Sequence, residues 1–192
     1  MMKRLGTFFL DTVEVVVFAV GIFFFIYLLI MRPHKISGES MMPNFQDGEY
    51  LLTEEVTYYT KNPERGDVVV LTPPPEVTTT DEYIKRVIGL PGDRIMLSGG
   101  HVYINDKLLN EPYLKDTVET HGGTFLSEDT EYTIPQGEYF VMGDNRPNSS
   151  DSRYWGPITK SEVTGTKGGK AWVSYWPANL AGVVSKPNYS FN

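Results

Sequence analysis

The chain contains no cysteine. That absence removes disulfides, thiolate metal sites and a cysteine nucleophile together. Histidine is scarce: His34, His101 and His121 are all there is. His34 sits beside Pro33, His101 opens an expected strand, and His121 lies in the polar stretch THGGT. None has the setting of a triad base, and no G-x-S-x-G elbow is present. H-E-x-x-H, P-loop and G-x-G-x-x-G patterns are missing too. Positive charge is also short. Residues 1–35 hold four basic and two acidic residues, and the remainder holds 13 basic and 22 acidic ones. An acidic body argues against nucleic acid as partner, because phosphate binding needs clustered Lys and Arg.

What is present begins with a charge-free run of seventeen residues, VVVFAVGIFFFIYLLIM, from Val15 to Met31. Extended back past Glu14 and Asp11, it gives about twenty or more residues, enough to cross a bilayer as a helix. A buried soluble helix would show a polar face, and this run shows none. A cleaved signal would end in small residues, and MRPHKISG offers no small-x-small site. A retained single-pass anchor is expected over residues 1–35, with a body over 36–192. Lys3 and Arg4 face Arg32 and Lys35, so the orientation signal is nearly balanced. The amino terminus is expected on the cytoplasmic side and the body outside.

The body reads as mainly β. EYLLTEEV, DVVVLT, YIKRVIGL, DRIMLS, HVYIND, EYFVMGD and KAWVSYW are short, rich in β-branched and aromatic residues, and bounded by turn residues. SGGH reads as a hairpin turn. PPPEVTTTDE reads as a loose loop, and residues 115–129 read as polar and mobile. TKSEV is a candidate for one helical turn. The hairpin-rich stretch of about 89–138 is expected to be an insertion.

Three segments carry candidate chemistry. In SGESMMPNF, Ser40 follows Gly38, which permits tight backbone geometry, and precedes Pro43, which stiffens the chain. Met41 and Met42 offer an adaptable apolar surface. The alternative is a plain turn serine. In YIKRVIGLPGD, alternation puts Tyr83, Lys85 and Val87 on one face, and Ile84, Arg86 and Ile88 on the other. Lysine, unlike arginine, can lose its proton in a dry pocket. The alternative is an edge strand with both charges reaching solvent. GDNRPNSSDSR packs Asp144, Arg146, Ser149, Asp151 and Arg153 into eleven residues. A calcium loop is disfavoured by the arginines among its oxygen donors, and Asp–Arg pairing that ties the loop to a core strand suits them better. The RGD at Arg65–Asp67 runs straight into VVVL and reads as a strand entry rather than an adhesion site.

SGESMMP, RGDVVV, KRVIGLPGD and GDNRPNSSDSR together, in this order, resemble the motif boxes of bacterial type I signal peptidases. The likeness covers most of residues 37–155. It implies a coiled antiparallel β-sheet, shared with the self-cleaving SOS repressors, on one amino-terminal transmembrane helix. It implies Ser40 as nucleophile and Lys85 as general base, with Ser149 orienting the lysine. Asp144 would pair with Arg86, and Asp151 with Arg153. Met41 would help form shallow pockets for small residues one and three positions before the cut. Implied partners are the signal peptides of exported preproteins and the lipid bilayer. A monomer is expected, with no metal and no organic cofactor. Two positions depart from the common pattern: Asn44 replaces a frequent Thr, and Gly38 replaces a serine that donates to the oxyanion in some members. The second oxyanion donor is thus unassigned. A non-catalytic tethered β module and a protein that cuts itself in cis are the rivals.

Overall fold

The computed structural model describes residues 2–54, 58, 60–77, 82–164, 169–175 and 182–183. The chain divides into two compact units, Met1–Arg32 and Pro33–Asn192.

The first unit is the helix α1 (Met2–Ile30), 29 residues long. Side chains along it such as Leu10, Val16, Phe18, Ile22 and Phe25 are exposed. Among the described residues, no helix is long and apolar enough to cross a membrane.

After the helix come two sheets, built from β1 (Met31–Lys35), β2 (Tyr50–Glu54), β3 (Val68–Leu71), β4 (Tyr83–Gly89), β5 (Arg94–Ser98), β6 (His101–Ile104), β7 (Lys107–Leu108), β8 (Tyr132–Thr133), β9 (Glu138–Met142), β10 (Ile158–Thr159), β11 (Gly169–Tyr175) and β12 (Gly182–Val183). The larger sheet runs β1-β2-β11-β3-β4-β9-β10, with β12 beside β11, and the smaller runs β7-β6-β5-β8. The described registers are antiparallel. Short helical turns cover Arg146–Asn148, Ser152–Trp155 and Lys160–Thr164; the last is the turn expected at TKSEV. Glu55 and Val56 of the first expected strand, Trp176 of the last, and the centre of the loop after Pro75 lie outside the described residues.

Alternation explains why the central strands are apolar on both faces. On β9, Phe140 and Met142 enter one buried cluster with Ile88, Ile95, Leu97 and Ile104, while Tyr139 and Val141 enter another with Val69, Leu71 and Val87. On β3, Val68 and Val70 face a third cluster with Ile36, Met41, Phe45 and Leu51. A strand buried on both sides reads as a continuous apolar run. SGGH makes the expected two-residue hairpin: Ser98 pairs with His101, and Gly99 and Gly100 take positive φ. That geometry matches the strand twist and favours glycine.

The segment expected to be polar and mobile is largely exposed but is anchored at specific points. Leu126 and Thr120 within it are buried. Leu126 N and Phe125 N donate to Arg153 O at 3.0 and 2.9 Å. Arg146, 1% exposed, reaches the same region: it donates to Thr120 Oγ1 at 2.5 Å and to Glu111 Oε2 and Oε1 at 3.0 and 2.5 Å. Burial opposes the charge of Arg146, but Glu111 and Tyr113 outweigh it and raise its pKa. The segment is held at Thr120 and Leu126, while most of its polar side chains face solvent.

Arg146→Met should therefore unfold more easily, because it leaves Glu111 with an uncompensated charge under cover. The expected loss is about 3–5 kcal/mol in denaturant unfolding, with new proteolytic nicks within residues 111–126. An unchanged midpoint would contradict this account of the loop.

Candidate active site

β4 is a central strand, paired with β3 on one side and β9 on the other. The alternative of an edge strand with solvated charges is thereby removed: Lys85 is 2% and Arg86 3% exposed. Successive residues of a strand point to opposite faces, so the two cations have separate surroundings.

Arg86 finds a full counter-charge. Its Nε and Nη2 donate to Asp144 Oδ1 and Oδ2 at 2.8 and 2.6 Å, and Nη1 donates to Gly66 O at 3.1 Å. Its guanidinium also stacks 4.1 Å from the Tyr113 ring centre. Asp144 accepts a third bond from Asn44 Nδ2 at 2.8 Å, and that amide also reaches Tyr113 O at 3.0 Å. Thus the departure at Asn44 is used: its side chain links the Ser40 loop to the carboxylate of the last box.

Asp151 and Arg153 form the second expected pair. Arg153 Nε and Nη2 donate to Asp151 Oδ1 and Oδ2 at 2.8 and 2.9 Å. Asp151 also accepts from Gly143 N at 3.0 Å, and Arg153 Nη2 donates to Arg146 O at 2.7 Å. Both carboxylates are committed, Asp144 to Arg86 and the Asn44 amide and Asp151 to Arg153 and backbone N–H groups, which answers the calcium-loop alternative by the use of these oxygens. Asp67 of the RGD is likewise turned inward, accepting from Tyr58 OH at 2.8 Å.

Lys85 and Ser40 come together. Lys85 Nζ donates to Ser40 Oγ at 2.9 Å and to Ile84 O at 2.9 Å, and lies 4.9 Å from the Tyr83 ring centre. Burial pulls the Lys85 pKa down from 10.5 to about 8. Asp151 and Asp144 resist that shift, and Arg153 adds to it. Burial outweighs the two carboxylates, each of which is paired with an arginine. The Ser40 loop is fixed by backbone: Asn145 N donates to Ser40 O at 2.9 Å, and Asn145 Nδ2 donates to Glu39 O at 3.0 Å. Gly38 has φ +102°, a conformation that favours glycine.

Gly143 was legible only as part of a motif. A Cβ there would lie 2.2 Å from Ser149 Oγ and 2.4 Å from Ser40 O, so the last box can approach the serine loop only through glycine. Ser149 itself is buried beside this point, but its Oγ has no hydrogen-bond partner. The expected Ser149–Lys85 bond is not formed; Nζ donates to Ser40 and Ile84 instead. Met41 also differs from expectation. It is 1% exposed and packs into the core with Ile36, Phe45 and Leu51. The turn after Ser40 directs it inward, and Met42 is the exposed neighbour.

Ser40 and Lys85 open onto a groove of about 280 Å³ walled by residues 34–40 and 82–85, with Leu51, Val70, Asn148 and Ser150 completing its lining. The arrangement can move a proton from Ser40 Oγ to an uncharged Lys85 Nζ. A sequence profile described as "Signal peptidase, peptidase S26" matches residues 9–172. The chain belongs to that family. As a member of the signal peptidases it is a hydrolase that cuts peptide bonds. The chain is 37% identical over 155 residues to signal peptidase I U of Bacillus subtilis, covering 79% of this chain and 81% of that one. It is 35% identical to a probable signal peptidase I-2 of Synechocystis, over 90% of this chain and 74% of that one. Signal peptidase IB of Staphylococcus aureus is 34% identical, over 93% and 88%. A solved signal peptidase I from Enterococcus faecalis shares 29% identity at a TM-score of 0.40, covering 53% of this chain and 93% of that one.

The buried lysine should cost this signal peptidase stability. An unfolded lysine keeps its ordinary pKa of 10.5, and the folded one has about 8. The charged form is disfavoured in the fold, so the penalty is absent above pH 10.5, grows as pH falls, and is complete below pH 8. Lys85→Met should then raise unfolding free energy at pH 7 by about 1–3 kcal/mol. Equal or lower stability than wild type in denaturant titrations would contradict this.

Proposed function

We propose that this chain is a membrane-anchored signal peptidase in which Ser40 is the nucleophile and Lys85 the general base. The observation that carries it is the 2.9 Å contact between Lys85 Nζ and Ser40 Oγ at a buried position of a central strand. At pH 7 a lysine of pKa about 8 is uncharged in about a tenth of molecules, against about one in three thousand at 10.5.

Neutral Nζ takes the Ser40 proton as Oγ bonds the scissile carbonyl carbon. The C–N bond then breaks, and Lys85 gives its proton to the departing amine of the mature chain. Water next loses a proton to Lys85 and adds to the acyl ester. Breaking that ester returns the proton to Ser40 and frees the signal peptide with a new carboxylate. The Ser40 backbone N–H serves as one oxyanion donor. Neutral Nζ has two hydrogens. Ile84 O takes one, and the unfilled acceptor Ser149 Oγ is suited to the other, which would orient the lone pair toward Ser40.

The substrate enters as an added strand. β1 is the terminal strand of its sheet, and the β4–β9 ladder starts at Arg86, leaving Tyr83–Lys85 open on that flank. Main-chain bonds to these edges hold an extended peptide, and apolar Ile36, Leu51, Val70 and Ile84 suit small side chains near the cut. The exposed apolar side chains of α1 suit lipid, and a shared bilayer raises encounter with a membrane-borne preprotein. On this reading the body lies outside the cell membrane.

Full-length protein in detergent should cleave a preprotein. Ser40→Ala, Lys85→Ala and Lys85→Arg should each lose about a thousandfold or more in kcat/KM, Lys85→Arg because it stays charged. Wild-type kcat/KM should rise with pH and level off above about 8. Full activity of Lys85→Ala would refute the dyad. Binding of preprotein without cleavage by wild type would favour a non-catalytic module.

A further inference from the structure

The groove has a far end, and a polar contact crosses it. His34 Nδ1 and Glu82 Oε2 stand 2.9 Å apart. His34 belongs to β1 and Glu82 immediately precedes β4, so the contact ties one wall to the other. These strands are not neighbours in the sheet: β2, β11 and β3 lie between them. The contact is possible only because the sheet curls back on itself.

Both side chains are largely covered, His34 at 15% and Glu82 at 25% exposed. His34 Nε2 is buried and has no hydrogen-bond partner. A buried polar atom left unpaired costs free energy, so this placement is not a default of folding. The proton transfers assigned above use neither residue. Glu82 precedes Lys85 by three positions, about 10 Å along an extended strand. A peptide lying alongside, with its reacting carbonyl at Ser40, reaches the contact with the fourth or fifth residue before the cut. The acyl half of the substrate stays bonded to Ser40, so that half must occupy the groove opening from Ser40.

On the reading that this groove holds the acyl half of a preprotein, we propose that the His34–Glu82 bridge is a specificity wall for the fourth or fifth residue before the scissile bond. It accepts a hydrogen-bond donor there and rejects acidic and bulky apolar side chains. The ring occupies Oε2, so a substrate ammonium, amide or hydroxyl can take Oε1. An acidic side chain meets a like charge in a covered site, which costs affinity. A large apolar one must part the pair and leave two polar groups unpaired.

The test is a series of one preprotein carrying Ala, Lys, Glu or Phe at the fourth or the fifth position before the cut, cleaved by full-length enzyme in detergent. Wild type should prefer Lys over Glu by about tenfold in kcat/KM, a difference near 1.4 kcal/mol, carried mainly by KM. Glu82→Lys should reverse that ratio, and Glu82→Gln should flatten it. His34→Ala should keep the charge preference and lose the rejection of Phe. Each comparison is a ratio within one preparation, so partial misfolding cancels. Wild-type preferences in an active Glu82→Lys or Glu82→Gln enzyme would overturn the proposal, as would equal wild-type kcat/KM for the Lys and Glu members of the series. Failure of wild type to cleave any member while binding it would instead overturn the proposed function on which this inference rests.

Discussion

An ammonium ion wants water or an anion, and Lys85 is held where it gets little of either. It is buried on a strand of the large sheet, and its Nζ faces a hydroxyl and a carbonyl. The two carboxylates that act on its charge, Asp151 and Asp144, are each grasped by an arginine. If either arginine were absent, a free carboxylate would sit near the amine and pull its pKa back up. Keeping the amine poised is therefore a task for the whole neighbourhood, not for the lysine.

That neighbourhood is a set of cross-braces between distant parts of the chain. Arg86 ties β4 to the segment after β9 through Asp144. Asn44 ties the serine loop to the same carboxylate and to Tyr113. Arg146 and Arg153 pull residues 111–126 over the back of the last box. Gly143 lets the box and the serine loop come within backbone distance. The smaller sheet packs its apolar face against β4 and β9, so it supports the strand that carries Lys85.

Much of this was legible in the sequence, for identifiable reasons. Short β-branched runs bounded by turns mark strands because both signals are local, as at Val68–Leu71 and in the Ser98–His101 hairpin. The pairing of Arg86 with Asp144 and of Asp151 with Arg153 followed from a motif resemblance; composition alone left the box as a polar corner. What was not legible depended on tertiary contact. Residues 115–129 are polar because most of them do face solvent, but the anchoring of Thr120 by Arg146 and of Leu126 by Arg153 comes from a different segment and has no local signal. Met41 looks like a pocket residue because nothing local tells a methionine on a tight turn which way to point. Ser149 is near the amine by motif, but the direction of an Nζ–H bond is settled by competing acceptors, here Ser40 Oγ and Ile84 O. The His34–Glu82 bridge needs the sheet to curl, which no local pattern encodes.

The central claim is that the fold itself keeps the Lys85 amine readily deprotonated. Its titration can be followed directly by NMR of isotopically labelled lysine side chains in the full-length protein, with the Lys85 signal assigned by its loss in Lys85→Met. A midpoint near pH 8 is the result expected from the buried site. A midpoint at the ordinary value near 10.5, with Ser40 intact and the enzyme folded, would contradict the account.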